Sequence, residues 1–334
     1  MTKTRIALAV ALALAGGQAL AANTLFDTFT PLGASAGPTA NEAVPLTLSS
    51  PNFTQVSIAD RNSQLGAGQF DSGNWDMITS NETGPQAGRY LFTVFETAQA
   101  GIIRHDLQTG STKTIWAAPA AAPNANSAVA FDASYWTPWG TFITAEESWG
   151  SQPQPYGRLF EVKNPLTANG LANVTHQNII PRTSHEGIEF DAAGHMYFID
   201  ELNGGSLYRY TTAANMADVM TGSADYFAAG TTSVLRVGDG NTANATGAFS
   251  WVDFTDATGQ GLFGAVTITD PNGIESVDAR ATTNVAEFKG TDYQRPEDLE
   301  LQINANGDEL LYMATTTTNE VYAVNLTDGV ISVF

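Results

Sequence analysis

Short strand-like units recur along this sequence, and each ends in a polar residue before a second strand begins. One unit begins at Arg89, a second at Met196 and a third at Leu310, and the segment after Glu147 has the same form. Repeats built from antiparallel meanders are typical of a β-propeller. At roughly 45–50 residues per blade, the length of the chain predicts about six blades.

Helical periodicity is scarce, and short β-branched and aromatic runs are separated by Gly, Asn, Asp and Thr. The pattern predicts an all-β fold, a single β-propeller of short antiparallel strands. A β-sandwich is the alternative, but it explains neither the repeat nor the placement of the acids described below. The last run, 330–334, is expected to close the ring by pairing with the N-terminal segment.

The N-terminus has the features of a secretory signal peptide over residues 1–21. Lys3 and Arg5 precede an apolar run over 6–15, and a small-residue cleavage site follows at 19–21. We therefore expect a periplasmic or secreted protein, with no other run long enough to span a membrane. Residues 22–50 form a low-complexity segment, and 51–334 are predicted to be the propeller, with an insertion in 213–292.

The charge and the absence of cysteine exclude several classes of function. The chain has no cysteine, which rules out disulfides, zinc–thiolate sites, Fe–S clusters and a cysteine nucleophile. Its formal net charge is −20, from 14 basic and 34 acidic residues. Such a surface repels nucleic acid and anionic membranes. The charge alone fits solubility as well as it fits cation binding.

Carboxylates stand beside strand-like runs in stretches that recur about one blade apart. The candidate ligands are Glu96, Glu146, Glu147, Glu186, Asp200, Glu201 and Glu297. Inner strands of a propeller bring such residues to one mouth of the channel, where close anionic oxygens need a cation. Adjacent acids on a strand face opposite ways, so one of each pair need point inward. Any single one of these acids is more simply an exposed strand end; the set favours a metal site.

The metal expected at this site is calcium, because the predicted ligands are oxygens. His185 directly precedes Glu186 and is either a ligand or a structural residue; as a ligand it would also suit iron or manganese. Arg295 and Arg182 each precede a candidate acid and can hold an anionic substrate bidentately. A salt bridge that orients the acid is an equal alternative for Arg295 and the favoured one for Arg182.

At these residues the chain resembles the PhoX-type alkaline phosphatases. The matching stretches are Thr137–Glu147, His185–Glu186, Asp200–Glu201 and Arg295–Glu297. The similarity covers roughly residues 85–334 and is poor in 213–292. The resemblance implies an exported six-bladed propeller that hydrolyses phosphate esters with calcium and iron ions at one mouth of its channel.

Carried over to this sequence, the resemblance makes Glu186 and Glu297 core metal ligands and Arg295 the phosphate contact, so that Arg295 and Glu297 are the catalytic candidates. Glu146 and Glu147 then lie beside the metal site. The family has an iron-ligating cysteine where this chain has Ala145. Calcium is therefore favoured over iron as the cofactor.

Two functions from different classes follow. The first is a metal-dependent hydrolase acting on a phosphorylated small molecule, favoured by Arg295 beside Glu297. The second is a non-catalytic calcium-binding propeller that serves as a structural or surface interaction module, favoured by Ala145. A lactonase-like propeller with one channel calcium is a weaker third. No feature of the sequence indicates an oligomeric state.

Overall fold

The structure, a computed structural model, describes residues 46, 54–68, 74–118, 128–149, 155–168, 170–270 and 272–334. The chain divides into two units, Met1–Asp60 and Arg61–Phe334. The predicted signal peptide lies outside the described residues, and so does the low-complexity segment apart from Leu46. None of the helices in the described part of the chain has the length and hydropathy that a bilayer span requires.

The regular secondary structure of the second unit is almost entirely short strands. Its strands are β1 (Trp75–Ser80), β2 (Tyr90–Phe95), β3 (Gly101–Asp106), β4 (Ser111–Ala117), β5 (Phe131–Trp136), β6 (Phe142–Glu146), β7 (Leu159–Val162), β8 (Val174–His176), β9 (Ile188–Phe190), β10 (Met196–Ile199), β11 (Leu207–Thr212), β12 (Gly230–Val237), β13 (Gly247–Asp253), β14 (Thr267–Thr269), β15 (Glu275–Val277), β16 (Pro296–Ile303), β17 (Glu309–Thr315), β18 (Glu320–Asn325) and β19 (Val330–Val333). The helices are α1 (Arg61–Gly66), α2 (Met216–Met220) and α3 (Ala279–Thr282).

The strands are arranged as antiparallel meanders, which confirms the all-β, propeller-like class. β1–β4 form the first meander, β5–β8 the second, β9–β12 the third and β16–β19 the fourth. Four meanders of four strands are thus complete within the described ranges, against the about six blades expected from length. A separate two-stranded ribbon, β14–β15, lies between the third and fourth in sequence.

The third and fourth meanders are joined into one nine-stranded sheet by β13. This strand pairs with β12 on one side and with β19 on the other, where Gly247 faces Ile331. The last strand therefore pairs with β13 and β18; most of the N-terminal segment that it was expected to pair with lies outside the described residues. The insertion expected at 213–292 starts inside the third meander, since β12 is that meander's fourth strand.

The apolar residues of the strands pack between neighbouring meanders. Phe92 of β2 stacks on Phe142 of β6 at a ring distance of 4.9 Å, and on Trp136 of β5 at 5.7 Å. All three side chains are buried. Because β-branched and aromatic residues fill these contacts, the meanders are held at fixed positions relative to one another.

The first strands of the four meanders lie together at the centre of the unit. β5 lies against both β1 and β9, and β9 also lies against β16. Residues of all four strands line one cavity of about 380 Å³. The ends of these inner strands are therefore the place where side chains from different meanders meet.

Candidate metal centre

Each inner strand carries an acid where it begins. Asp76, Asp132 and Glu297 are the second residues of β1, β5 and β16, and Glu186 stands two residues before β9. Acids also follow the second strands, which return antiparallel to the same end. Glu147 directly follows β6, Glu96 directly follows β2, and Glu201 is the second residue after β10.

Six of these acids come together in what we call the carboxylate cluster. It consists of Asp76, Asp132, Glu147, Glu186, Glu201 and Glu297. They form three overlapping groups of three, and the potential ligand atoms of each group lie within 4.8 Å of one another. All four meanders contribute. Glu96 lies beside the cluster, where its side chain accepts a hydrogen bond of 2.8 Å from Asn74 Nδ2.

The electrostatics of the cluster are suited to binding a cation. Burial raises the pKa of Asp132, Glu147 and Glu186 far above the ordinary range, and the charges of neighbouring carboxylates raise it further. Asp132 Oδ1 and Glu186 Oε2 are buried and have no hydrogen-bond partner among the described residues. Oxygens without donors, from carboxylates that repel each other, are the ligand set of a hard cation.

Arg295 and Trp149 cover one side of the cluster. The Arg295 guanidinium pairs with Glu201 at 2.5 Å and with Glu297 at 3.2 Å. It also lies over the Trp149 ring, 4.9 Å from its centroid. The Trp149 indole N–H in turn donates to Glu201 at 2.9 Å and to Glu147. Arg295 thus stands next to the cluster with its orientation set by an aromatic face and by carboxylates.

The backbone at Arg295 is unusual. Gln294 and Arg295 have φ of 53° and 72°, two successive non-glycine residues in the left-handed region. Such conformations are costly and occur where the surrounding contacts impose them. Here the turn aims Arg295 at the cluster immediately before β16 brings in Glu297.

The structure does not bring Glu146 into the cluster. Its carboxylate is fully buried and is held by Arg158, with Oε1 2.7 Å from Nη2 and Oε2 2.9 Å from Nε. It also accepts from the backbone N–H groups of Val129 and Arg158. Because Glu146 ends β6 and Glu147 follows it, the two side chains point to opposite sides, and only Glu147 reaches the cluster.

His185 and Asp200 are placed in the same way, each one residue before a member of the cluster. Both are buried. Asp200 accepts from the backbone N–H of Ser184 at 2.9 Å. His185 packs against the ring of Phe198, and burial lowers its pKa to about 3. Neither belongs to the three acidic groups.

Arg182, which the sequence made a candidate substrate contact, has no exposed surface. Its guanidinium donates to Ser276 Oγ at 2.6 Å and to the carbonyl of Pro155, and it lies 3.5 Å from Asp270. A guanidinium enclosed in this way cannot reach a substrate at the cluster. Its ion pair is with Asp270 and not with Glu186, so among the described residues Arg182 has neither of the two roles predicted for it.

Asp76 and Asp132 are members of the cluster that sequence reasoning missed. Each is a lone acid at the start of a strand, without a neighbouring motif. The sequence feature that could have identified them is their position at the start of a meander. Glu186 and Glu297 share the start-of-meander position, and applying that position to the first two meanders leads to Asp76 and Asp132.

Gly187 links two of the ligand-bearing segments. Its N–H donates to the carbonyl of Glu297 at 2.9 Å. A Cβ at this position would lie 2.6 Å from the backbone nitrogen of Leu299 and 2.9 Å from the carbonyl carbon of Asp298. The inner strands β9 and β16 can therefore approach this closely only if residue 187 has no side chain.

Gly187→Ala is accordingly expected to lower the free energy of unfolding by about 1–3 kcal/mol, because the methyl group meets rigid backbone. Urea denaturation measures this. The control is Gly66→Ala at the end of α1, where nothing lies within 4 Å of the added Cβ. Equal stability of the two variants would contradict the close approach.

Comparison with known proteins gives one family match. The sequence model of the family described as alkaline phosphatase PhoX matches residues 133–329, more than half of the chain. No curated protein matches. Among solved structures, a structural genomics protein of unknown function from Bacteroides thetaiotaomicron VPI-5482 is similar at 10% identity with a TM-score of 0.30. That alignment covers 78% of this chain and 46% of the other, so this chain spans less than half of that protein.

Proposed function

Because the chain belongs to the alkaline phosphatase PhoX family, we propose that it is an exported, metal-dependent hydrolase of a phosphorylated small molecule. The observation that carries this proposal is the carboxylate cluster. Six acids from four meanders meet at one place, and two of their buried oxygens have no donor. A purely structural role for so many close carboxylates would be destabilising without a cation.

The residues present fit calcium better than iron. The cluster offers carboxylate oxygens, which calcium prefers as ligands. A thiolate is excluded, since the chain has no cysteine. Ala145, at the position of the family's cysteine, is fully buried in a hydrophobic cluster and offers no ligand. Calcium held by the six acids would polarise the phosphoryl group and neutralise its developing charge.

The chain's own contribution to substrate binding is Arg295. Its guanidinium presents paired N–H donors that match two phosphoryl oxygens. Trp149 supports it from one side, and Glu201 and Glu297 hold its position. A substrate anion bound to Arg295 would therefore lie directly beside the acids that would hold the metal. We therefore assign Arg295 to substrate binding and Glu297 to the metal.

The test uses purified protein treated with chelator and then supplied with calcium, manganese or iron. We expect calcium to restore hydrolysis of a phosphomonoester such as p-nitrophenyl phosphate. Absence of hydrolysis of any phosphate ester with all three ions would overturn the hydrolase proposal.

Arg295→Ala is expected to lower kcat/KM about tenfold to a hundredfold, since one charge-assisted contact contributes on the order of 1.5–3 kcal/mol. Calcium content should stay unchanged. Steady-state kinetics and metal analysis measure the two effects. Arg209→Ala is the matched control. The Arg209 guanidinium also lies over a tryptophan ring, 4.6 Å from the centroid of Trp251, but it is not part of the cluster. An equal loss in both variants would speak against a substrate contact at Arg295.

A non-catalytic calcium-binding module remains the second candidate. The observation that favours it is the pairing of Arg295 with Glu201 and Glu297, which leaves the guanidinium engaged before any substrate arrives. In that case calcium raises the thermal midpoint, because it binds only the folded state, while no phosphate ester is hydrolysed.

A further inference from the structure

A buried set of polar contacts lies directly behind the carboxylate cluster, with Ser184 at its centre. Ser184 has no exposed surface. Its hydroxyl oxygen accepts from the N–H of Ser148 at 3.1 Å. Its own N–H donates to Asp200 Oδ1 at 2.9 Å, and its carbonyl accepts from the N–H of Glu201 at 2.9 Å.

Each of these contacts reaches a segment that carries a member of the cluster. Ser148 directly follows Glu147, and Ser184 stands two residues before Glu186. The third contact is to Asp200 and Glu201 themselves. One serine therefore ties together the backbones that present Glu147, Glu186 and Glu201, which come from two different meanders.

Asp200 completes the arrangement from the side opposite the cluster. It is 2% exposed, and consecutive residues of an extended chain face opposite ways. While Glu201 points into the cluster, Asp200 points back to Ser184. The Asp200 carboxylate thus accepts a hydrogen bond from the backbone of Ser184, while the next residue, Glu201, belongs to the cluster.

We propose that Ser184 and Asp200 are positioning residues of the metal centre, which hold Glu147, Glu186 and Glu201 at the spacing that a cation requires. This inference rests on the proposed function, since it takes the cluster to bind a metal. Ligands that buried hydrogen bonds already hold in place lose little conformational entropy when the ion binds. Loss of the supporting contacts weakens metal binding without removing a ligand.

The test compares two substitutions of the same residue by calorimetric titration with calcium chloride. Asp200→Asn keeps an oxygen that accepts from Ser184, so its calcium Kd is expected to stay within about threefold of the unmodified protein. Asp200→Ala removes the acceptor and is expected to raise Kd by about tenfold to a hundredfold. Ser184→Ala, which loses only the contact to Ser148, tests the same arrangement should Asp200→Ala fail to fold.

Ser233→Ala is the control, because Ser233 is also buried and its hydroxyl donates to Asp253 at 2.5 Å away from the cluster. It should lower the thermal midpoint and leave Kd unchanged. Two results overturn the inference: Asp200→Asn weakening calcium as much as Asp200→Ala, which would make Asp200 a ligand, or no change of Kd in Asp200→Ala and Ser184→Ala. If the unmodified protein binds no calcium, manganese or iron, the proposed function itself fails.

Discussion

Asp132→Asn is expected to raise the thermal midpoint of the metal-free protein and to weaken calcium binding by at least about tenfold. Asp132 belongs to two of the three acidic groups, is 3% exposed and has an oxygen without a donor. When no cation is present, the substitution removes the free-energy cost of keeping this buried carboxyl protonated against its ordinary pKa. It also removes a ligand when one is present, so the two effects have opposite signs.

Asp132 also makes the stability of the metal-free protein depend on pH. Burial, and then the charges of neighbouring carboxylates, raise the pKa of Asp132 to about 9. Unfolding returns the group to its ordinary value of about 4, so the folded state holds a proton that the unfolded state has released. This contribution to stability is present below about pH 4 and is lost as the pH rises towards 9. Asp132→Asn should flatten that decline.

Thermal unfolding from pH 4 to 9 in chelator, together with calcium titration, measures both effects. Asp239→Asn is the control: this aspartate is exposed in the turn after β12, and its contact to the N–H of Asn241 is one that asparagine also makes. A lower metal-free midpoint in Asp132→Asn, or an unchanged calcium affinity, would show that Asp132 is not part of a metal centre.

Glu146→Ala is expected to lower the free energy of unfolding by about 3–5 kcal/mol, because it removes the carboxylate that is paired with a buried guanidinium. The side chains of Glu146 and Arg158 are 0% and 3% exposed, and two parallel N–H to oxygen contacts join them. Removal of the carboxylate also leaves the backbone N–H of Val129 without its acceptor. The cost is that of buried donors that lose this acceptor.

Chemical denaturation measures this cost, and the chain offers a matched control. Arg89 and Asp106 make the same paired contact at 2.6 Å and 2.9 Å, but the arginine side chain is 27% exposed. Loss of the ion pair in Asp106→Ala is therefore expected to cost far less than in Glu146→Ala, because solvent screens the pair. Similar costs for the two substitutions would mean that the Glu146 carboxylate is not held as described.

The sequence predicted the propeller-like class and that acids from different repeats come together, because both follow from local repetition. It also predicted that one acid of each adjacent pair faces inward. Which one does so depends on where each strand ends: β6 includes Glu146, and β10 stops before Asp200. That boundary is set by pairing with neighbouring strands, which single-sequence patterns do not specify.

The contacts that the sequence did not predict are between residues far apart in the chain. Arg182 preceded a candidate ligand and was therefore considered for substrate binding. Its partners belong to the β14–β15 ribbon instead, since Asp270 directly follows β14 and Ser276 lies in β15. Asp132 was missed because its partners come from four other strands or their ends. Such pairings arise from packing between meanders, and no local motif records them.

The distribution of the acids over all four meanders has a consequence for how substitutions combine. Glu297 of the fourth meander is close enough to Asp76 of the first for its charge to raise the pKa of Asp76. Changes at groups that interact in this way are not additive. The cluster therefore couples the first and fourth meanders thermodynamically. A double-mutant cycle between Asp76 and Glu297 would measure the interaction energy of the two carboxylates, which neither single substitution gives alone.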